Sequence, residues 1–384
     1  MREQLRLSLH LRTGTPELIR AVSSLVVAAG LLAASPVEGT QLAVEVVHRI
    51  SLPDRLTRVA DVRFDGDAHL VLTVGRLGVV RVSYDGTTVG PADVLIPENP
   101  GVGVVLTENL ALSSSFLAVA SPASQMAWLK RQGEPVVERL GNWDTPETAP
   151  ISYFEDIDLY GDRLAILGLM RSDHGMSPDG AIAWTARLGA EPPDLRPVAY
   201  AKAGKGARPF DACGGFLVGK LRFLDGGRLL IVPGAEPGVY LYSAEGRLER
   251  TWDTAHFGVD LRCDLDDETM LRLGGDAAAR HRYLGRFTSV DEILPTPFGP
   301  ALVVREVASE GTRWSLVLLR EEGAPRRLDL PIGSTSERAH LRGDAKGDRL
   351  LLILKHYMPQ AGEGSELLEL RLRDRADEPS ATGE

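Results

Sequence analysis

From residue 42 to residue 375 the chain alternates short runs of Val, Ile, Leu, Tyr and Trp with Asp-Gly, Glu-Gly and Gly-Gly pairs. Apolar runs of this length, bounded by residues that tolerate tight turns, predict strands joined by hairpins. Stretches with helical spacing are few. The clearest strands run from Val59 to Arg63, Leu70 to Val74, Val79 to Tyr84 and Ala92 to Ile96, which together make one four-stranded unit.

The unit recurs. Arg63-Phe64-Asp65-Gly66 returns as Arg222-Phe223-Leu224-Asp225-Gly226, and Gly78-Val79-Val80-Arg81-Val82 returns as Gly238-Val239-Tyr240-Leu241-Tyr242. The following turn pair Asp85-Gly86 returns as Glu245-Gly246 in the same register. Further units fit Val104 to Leu140, Phe154 to Ala201, Leu221 to Trp252 and Val290 to Leu330. Trp143-Asp144-Thr145 and Trp252-Asp253-Thr254 close two units, and Gly161-Asp162-Arg163-Leu164 matches Gly347-Asp348-Arg349-Leu350. Four strands in about 40 to 55 residues is the size of a propeller blade.

The last unit supplies only three strands, near Ala339 to Arg342, Leu350 to Lys355 and Leu367 to Arg373. Val44 to Leu52, before the first unit, has no partner of its own. Its Arg49-Ile50-Ser51-Leu52-Pro53 resembles the unit-ending Arg327-Leu328-Asp329-Leu330-Pro331. The N-terminal strand is therefore expected to complete the last blade, closing the ring and removing two exposed sheet edges. The expected fold is all-β, a six-bladed β-propeller over residues 42–375, with seven blades as the competing count. The segment from Val259 to Ser289 leaves the count open, and we take it as a decorated inter-blade loop.

On these strand-Asp-Gly-strand hairpins the chain resembles the six-bladed β-propellers of the broad NHL/TolB-like superfamily. The resemblance speaks to architecture and is nearly silent on activity, because such propellers include binders of proteins, peptides or glycans as well as hydrolases and lyases. It implies a functional face formed by the inter-blade connections and the second-to-third-strand hairpins. Arg58, Glu108, Glu155, Asp156, Asp211, Lys220, His174, His256 and His340 are the ligand-binding candidates there, each competing with a simple role as a solvated loop residue. The long hairpins Arg171 to Asp179 and His356 to Ser365 belong to the same face.

Enzyme signatures mostly fail. Gly214 to Lys220 has the spacing of a phosphate-binding loop, but Leu221 replaces the hydroxyl residue and a strand follows where a helix should start. Neither Gly-x-Ser-x-Gly nor His-Glu-x-x-His occurs. Glu108, Asn109, Asp156 and Asp211 offer hard oxygen atoms for a divalent cation such as calcium at the channel mouth, against the simpler role of satisfying backbone groups at blade junctions. The histidines have no ligand-type spacing. Trp128, Trp184 and Trp314 fall in third strands and Trp143 and Trp252 at unit ends, matching positions that indicate packing.

A net charge of -10 argues against nucleic acid, whose phosphates need a basic surface. Arg2, Arg6, Arg12 and Arg20 precede the apolar run Ala21 to Ala34 and then Ser35 to Gly39, the order of a secretory signal covering residues 1–39. The run is too short for a spanning helix, so no stable membrane insertion is expected after cleavage, and an uncleaved anchor is the alternative. Cys213 and Cys263 are the two cysteines, a disulfide or two buried thiols in an exported chain. Residues 376–384 form an acidic tail for which disorder is expected. The functional expectation is a secreted or periplasmic, noncatalytic propeller that binds a protein, peptide or glycan. A metal-assisted hydrolase or lyase with carboxylates at the channel mouth is the alternative.

Overall fold

The computed structural model describes residues 42–374 apart from 57, 76, 98–108, 122–125, 141–150, 173–174, 177–180, 190–195, 201–218, 234–237, 258–287, 337–338 and 357–363. The chain enters on β1 (Leu42–Ile50). Blade 1 follows as β2 (Val59–Phe64), β3 (His69–Val74), β4 (Gly78–Tyr84) and β5 (Val89–Pro97). Blade 2 is β6 (Asn109–Leu112), β7 (Phe116–Ser121), β8 (Met126–Arg131) and β9 (Val137–Leu140). Blade 3 is β10 (Ile151–Tyr160), β11 (Arg163–Ser172), β13 (Ala181–Arg187) and β14 (Arg196–Tyr200), with the two-residue β12 (Gly175–Met176) paired to β11. Blade 4 is β15 (Lys220–Phe223), β16 (Leu229–Val232), β17 (Val239–Tyr242) and β18 (Leu248–Trp252). Blade 5 is β19 (Ser289–Thr296), β20 (Gly299–Ala308), β21 (Gly311–Leu318) and β22 (Arg326–Ser334). Blade 6 is β23 (Ala339–Lys346), β24 (Arg349–His356), β25 (Glu366–Asp374) and, as its outermost strand, β1.

The fold is a six-bladed propeller closed by its N-terminal strand. Arg49 pairs with Glu366 and Glu45 lies 3.6 Å from Arg373, so β1 runs antiparallel to β25. The first strands of the six blades touch in ring order, β2 to β6, β10, β15, β19, β23 and back to β2, and therefore surround the axis. Apolar side chains fill the seams between blades. Leu294, Trp314, Leu316, Leu341, Leu352 and Leu368 form one such cluster between blades 5 and 6.

Antiparallel order sends the first-to-second and third-to-fourth connections to one end of every blade, the turn end. Second-to-third and inter-blade connections leave from the other, the loop end. At the turn end Gly66 and Gly226 hold φ of 73° and 74°, the left-handed region that a side chain would strain, which explains the repeated Asp-Gly. The strands flanking 173–180, 201–218, 258–287 and 357–363 meet these segments at the loop end, as the strand order requires.

The inner strands are not all alike. In β2, β10 and β19 the pairing skips a residue, between Val59 and Asp61, Phe154 and Asp156, and Val290 and Glu292. Such bulges re-aim side chains. They occur in blades 1, 3 and 5, whereas β6, β15 and β23 pair with their neighbours without a shift.

Candidate functional site

Except for β6, whose one polar residue is Asn109, the inner strands carry apolar residues, which pack into the seams, interspersed with polar residues turned away from them. In β15 the order is Lys220, Leu221, Arg222, Phe223; in β23 it is His340, Leu341, Arg342, Gly343, Asp344. On an ordinary sheet the polar set would meet water. Here the facing surface is another inner strand, and Asp61, Arg63, Asp156, Asp158, Lys220, Arg222, Asp291, Glu292 and Asp344 are buried.

Burial of charge is tolerable only with partners, and the partners lie mainly on the next blade. The three carboxylates beside the bulges each accept an amide hydrogen bond across a junction. Asp61 accepts from Leu110, Asp156 from Leu221 at 3.0 Å, and Asp291 from Leu341 at 3.0 Å. A second tier repeats this with Asp158 to the Phe223 amide and Asp344 to the Phe64 amide. At the junction between blades 2 and 3, Asn109 donates through Nδ2 to the Glu155 carbonyl.

Nearer the turn end, arginines cross the axis. Arg63 donates to Asp61 at 2.7 Å and to the Gly343 carbonyl at 2.6 Å, and approaches Glu292 of blade 5 to 3.7 Å. Arg222 of blade 4 pairs with Asp344 of blade 6 and lies 3.8 Å from Asp158. Gly343 has to be glycine, since a Cβ there would sit 2.0 Å from the Leu351 carbonyl oxygen. This tier fills the axis with paired charge.

The electrostatics follow from burial set against these partners. Burial pushes the Asp61 carboxyl up to about 6 in spite of Arg63, and it also raises Asp158, with Arg222 opposing. Glu292 is buried too, yet Arg63, Arg342, Arg222 and Lys220 outweigh burial and hold it below the usual range. Burial disfavours the Asp291 carboxylate, but its contacts with His340, Arg305 and the Leu341 amide prevail and hold it far down. Burial and the Arg305 cation push the His340 imidazole down to about 4, against the pull of Asp291.

The candidates read from sequence divide accordingly. Glu155, Asp156, Lys220 and His340 all stand on inner strands, and the first three are buried instead of solvated. Lys220 donates to the Gly219 carbonyl. His340, the second residue of β23, keeps 18% of its side chain exposed at the loop end. Arg58 is exposed and offers its carbonyl to the Gly75 amide. His256 lies in the short 3-10 turn Thr254–Phe257, its side chain not described. Glu108, His174 and Asp211 lie outside the described residues, as do Cys213 and Cys263.

Of the four oxygen donors considered for a cation, two are described: Asp156 accepts the Leu221 amide of the next blade, whereas Asn109 bonds to the next blade through Nδ2 and its buried Oδ1 has no partner. Among the described residues no group of three or more His, Cys, Asp or Glu could hold a metal ion. Sequence reasoning passed over Asp61, Asp158, Arg222, Asp291, Glu292, Arg342 and Asp344. Their signal is the charged residues set among apolar ones on the first strands β2, β10, β15, β19 and β23. Trp128, Trp184 and Trp314 do sit on third strands, β8, β13 and β21.

No family model matches the sequence, and no curated protein matches it. Among solved structures, a member of the DUF4221 family from Bacteroides vulgatus superposes with a TM-score of 0.54 at 10% identity, covering 87% of this chain and 99% of that one. The PQQ-bound aldose sugar dehydrogenase of Streptomyces coelicolor gives a TM-score of 0.46 at 13% identity over 87% of this chain and 99% of that one. The first likeness, at that identity, speaks to the propeller fold alone.

Proposed function

We propose that the protein is an exported, noncatalytic propeller that binds a protein, peptide or glycan through its loop end. The observation that carries this reading is the use made of the axis. The charged side chains that chemistry would require there are spent on neighbouring blades, while the long connections are attached at one end of the ring. A rigid scaffold with elaborated connections on one face is how repeat folds acquire binding surfaces. Export rests on the basic-apolar-small order of residues 1–39.

The test is a screen of the purified protein against immobilised peptide and oligosaccharide arrays, with metal content measured on the same sample. Binding should be lost when residues 357–363 are replaced by a short turn and unchanged by substitutions at the turn end, such as Leu248→Ser. A stoichiometric divalent metal together with turnover of an array member would overturn the reading in favour of a metal-assisted hydrolase or lyase. Cell fractionation with and without residues 1–39 tests export.

A further inference from the structure

One histidine on the axis is built differently from the charges around it. Asp291 is 4% exposed and its two carboxylate oxygens are fully engaged. Oδ2 accepts the Trp314 indole N–H at 2.8 Å and the Leu341 amide at 3.0 Å, which fixes the carboxylate plane. Oδ1 lies 3.1 Å from Nδ1 of His340 and 3.5 Å from Nε of Arg305, which also donates to Ser289. An ionised carboxylate can only accept, so the Nδ1 it faces carries the proton of a neutral ring. The other nitrogen, Nε2, is then an unprotonated acceptor. It makes no hydrogen bond among the described residues and is not one of the buried polar atoms left without a partner.

We propose that Asp291 and His340 form an oriented carboxylate–imidazole pair whose Nε2 accepts a hydrogen bond from a neutral hydroxyl or amide group of a ligand entering at the loop end. The inference rests on the reading that ligands bind at that end. His340 is the second residue of β23, whose far end is the Lys346-to-Arg349 turn, so the imidazole stands on the loop-end side of the arginine tier. The charges that face the ring come from four strands. Asp291 on β19 is negative; Arg305 on β20, Lys355 on β24 and Arg342 on its own strand are positive. Burial, with the Arg305 and Lys355 cations beside it, keeps the imidazole neutral. A carboxylate on the far nitrogen is the usual device for fixing a histidine's tautomer and orientation.

Two readouts test this. The first uses diethyl pyrocarbonate on the intact protein, with site-resolved mass spectrometry and N-acetylhistidine as an internal standard. The Nε2 lone pair attacks one carbonyl carbon, the anhydride C–O bond breaks, and the departing ethyl carbonate takes the Nδ1 proton and decomposes to ethanol and carbon dioxide. Labelling at His340 should hold within about 2-fold between pH 7 and pH 5, whereas the standard, protonated at an ordinary value near 6.5, should slow by about 25-fold. A His340 that resists the reagent at pH 7, or slows in step with the standard, overturns the pair. His340→Ala confirms the assignment of the labelled site.

The second readout repeats the peptide and oligosaccharide arrays with variants. His340→Ala should weaken retained array members by about 3- to 10-fold, the worth of one neutral hydrogen bond. His340→Gln, which keeps an acceptor, should recover part of that loss. Array binding that ignores both variants, alongside normal labelling, overturns the ligand role and leaves loop-end binding standing. An array with no binder at all defeats loop-end binding itself and the ligand role with it.

Discussion

Arg63 and Arg187 each place a guanidinium nitrogen 2.7 Å from an aspartate oxygen, of Asp61 and Asp162 respectively. By distance the two pairs are the same. Their surroundings differ: the Arg63 pair is 4% and 1% exposed on the axis, the Arg187 pair 76% and 45% exposed at the turn end. Water screens the second pair, and holding two mobile side chains together there gains little. On the axis neither ion has water to fall back on, so each partner's removal strands a charge. Arg63 also fastens blade 1 to blade 6 through Gly343, so the pair is part of ring closure as well as of charge balance.

The comparison can be broken most severely at the closure. Deleting residues 42–53 removes β1 from blade 6, exposes the edge of β25 and uncovers part of the cluster containing Leu368, Leu370 and Leu372. The axis clasp through Arg63 and Asp344 would remain but has no apolar area to replace what is lost. The expected outcome is an aggregating or unfolded product, checked by size-exclusion chromatography and thermal melting. A monomer with an unchanged melting temperature would mean that the clasp alone closes the ring.

Next in size is Arg63→Ala, expected to cost about 3–5 kcal/mol in denaturant unfolding, because it removes the cation bonded to buried Asp61 and one of the four cations around buried Glu292. Adding Asp61→Asn to that variant should recover part of the loss, since one stranded charge is then removed. Full additivity of the two substitutions would show that they do not share one network.

Those partnerships were only partly legible in the sequence. The turns are legible because the constraint is local: Gly66 and Gly226 need a left-handed backbone, and Asp-Gly supplies it. Closure by β1 is legible because Arg49-Ile50-Ser51-Leu52-Pro53 repeats a blade-ending string. The axis is not. Lys220-Leu221-Arg222-Phe223 has the alternation of any half-exposed strand, and nothing local says that its polar side looks at another strand instead of water. Arg63 meets Gly343 across a sequence separation of 280 residues, and Arg222 meets Asp344 across 122. The odd-blade bulges add a skipped residue that a strand pattern does not announce. For the same reason Asp156 and Lys220 read as rim charges while their neighbours Asp158 and Arg222 went unnoticed.

Titration sharpens the contrast on a smaller scale, because two axis groups respond to acid with opposite signs. Asp61 has its folded value raised to about 6 from 3.8, so its contribution is fully present below the unfolded value and is lost as pH rises through 6. Between pH 7 and pH 5 the wild type should therefore gain about 1 kcal/mol relative to Asp61→Asn. His340 is lowered to about 4 from 6.5, so its contribution is present above 6.5 and is lost as pH falls towards 4. Over the same window the wild type should lose stability relative to His340→Gln. Urea unfolding of the three proteins at both pH values checks the pair of signs. Two differences of the same sign would remove the assignment of Asp61 as a carboxylate that burial holds on to its proton.

The smallest expected effect is the most direct test of the comparison. Arg187→Ala removes a guanidinium whose hydrogen bond to Asp162 is as short as that of Arg63 to Asp61. If distance set the worth of an ion pair, the two alanine variants would melt alike. Asp162 is partly exposed and its carbonyl already anchors the turn by accepting from the Leu188 amide, so the hairpin does not depend on the side-chain pair. The melting temperature of Arg187→Ala should match the wild type at low salt and in 1 M salt alike, because water takes the place of the lost partner. A clear drop at low salt that disappears at high salt would show that the turn-end pairs form a network strong enough to matter, with Arg81 and Asp65, Lys346 and Asp67, and Arg228 and Glu321 as its other members.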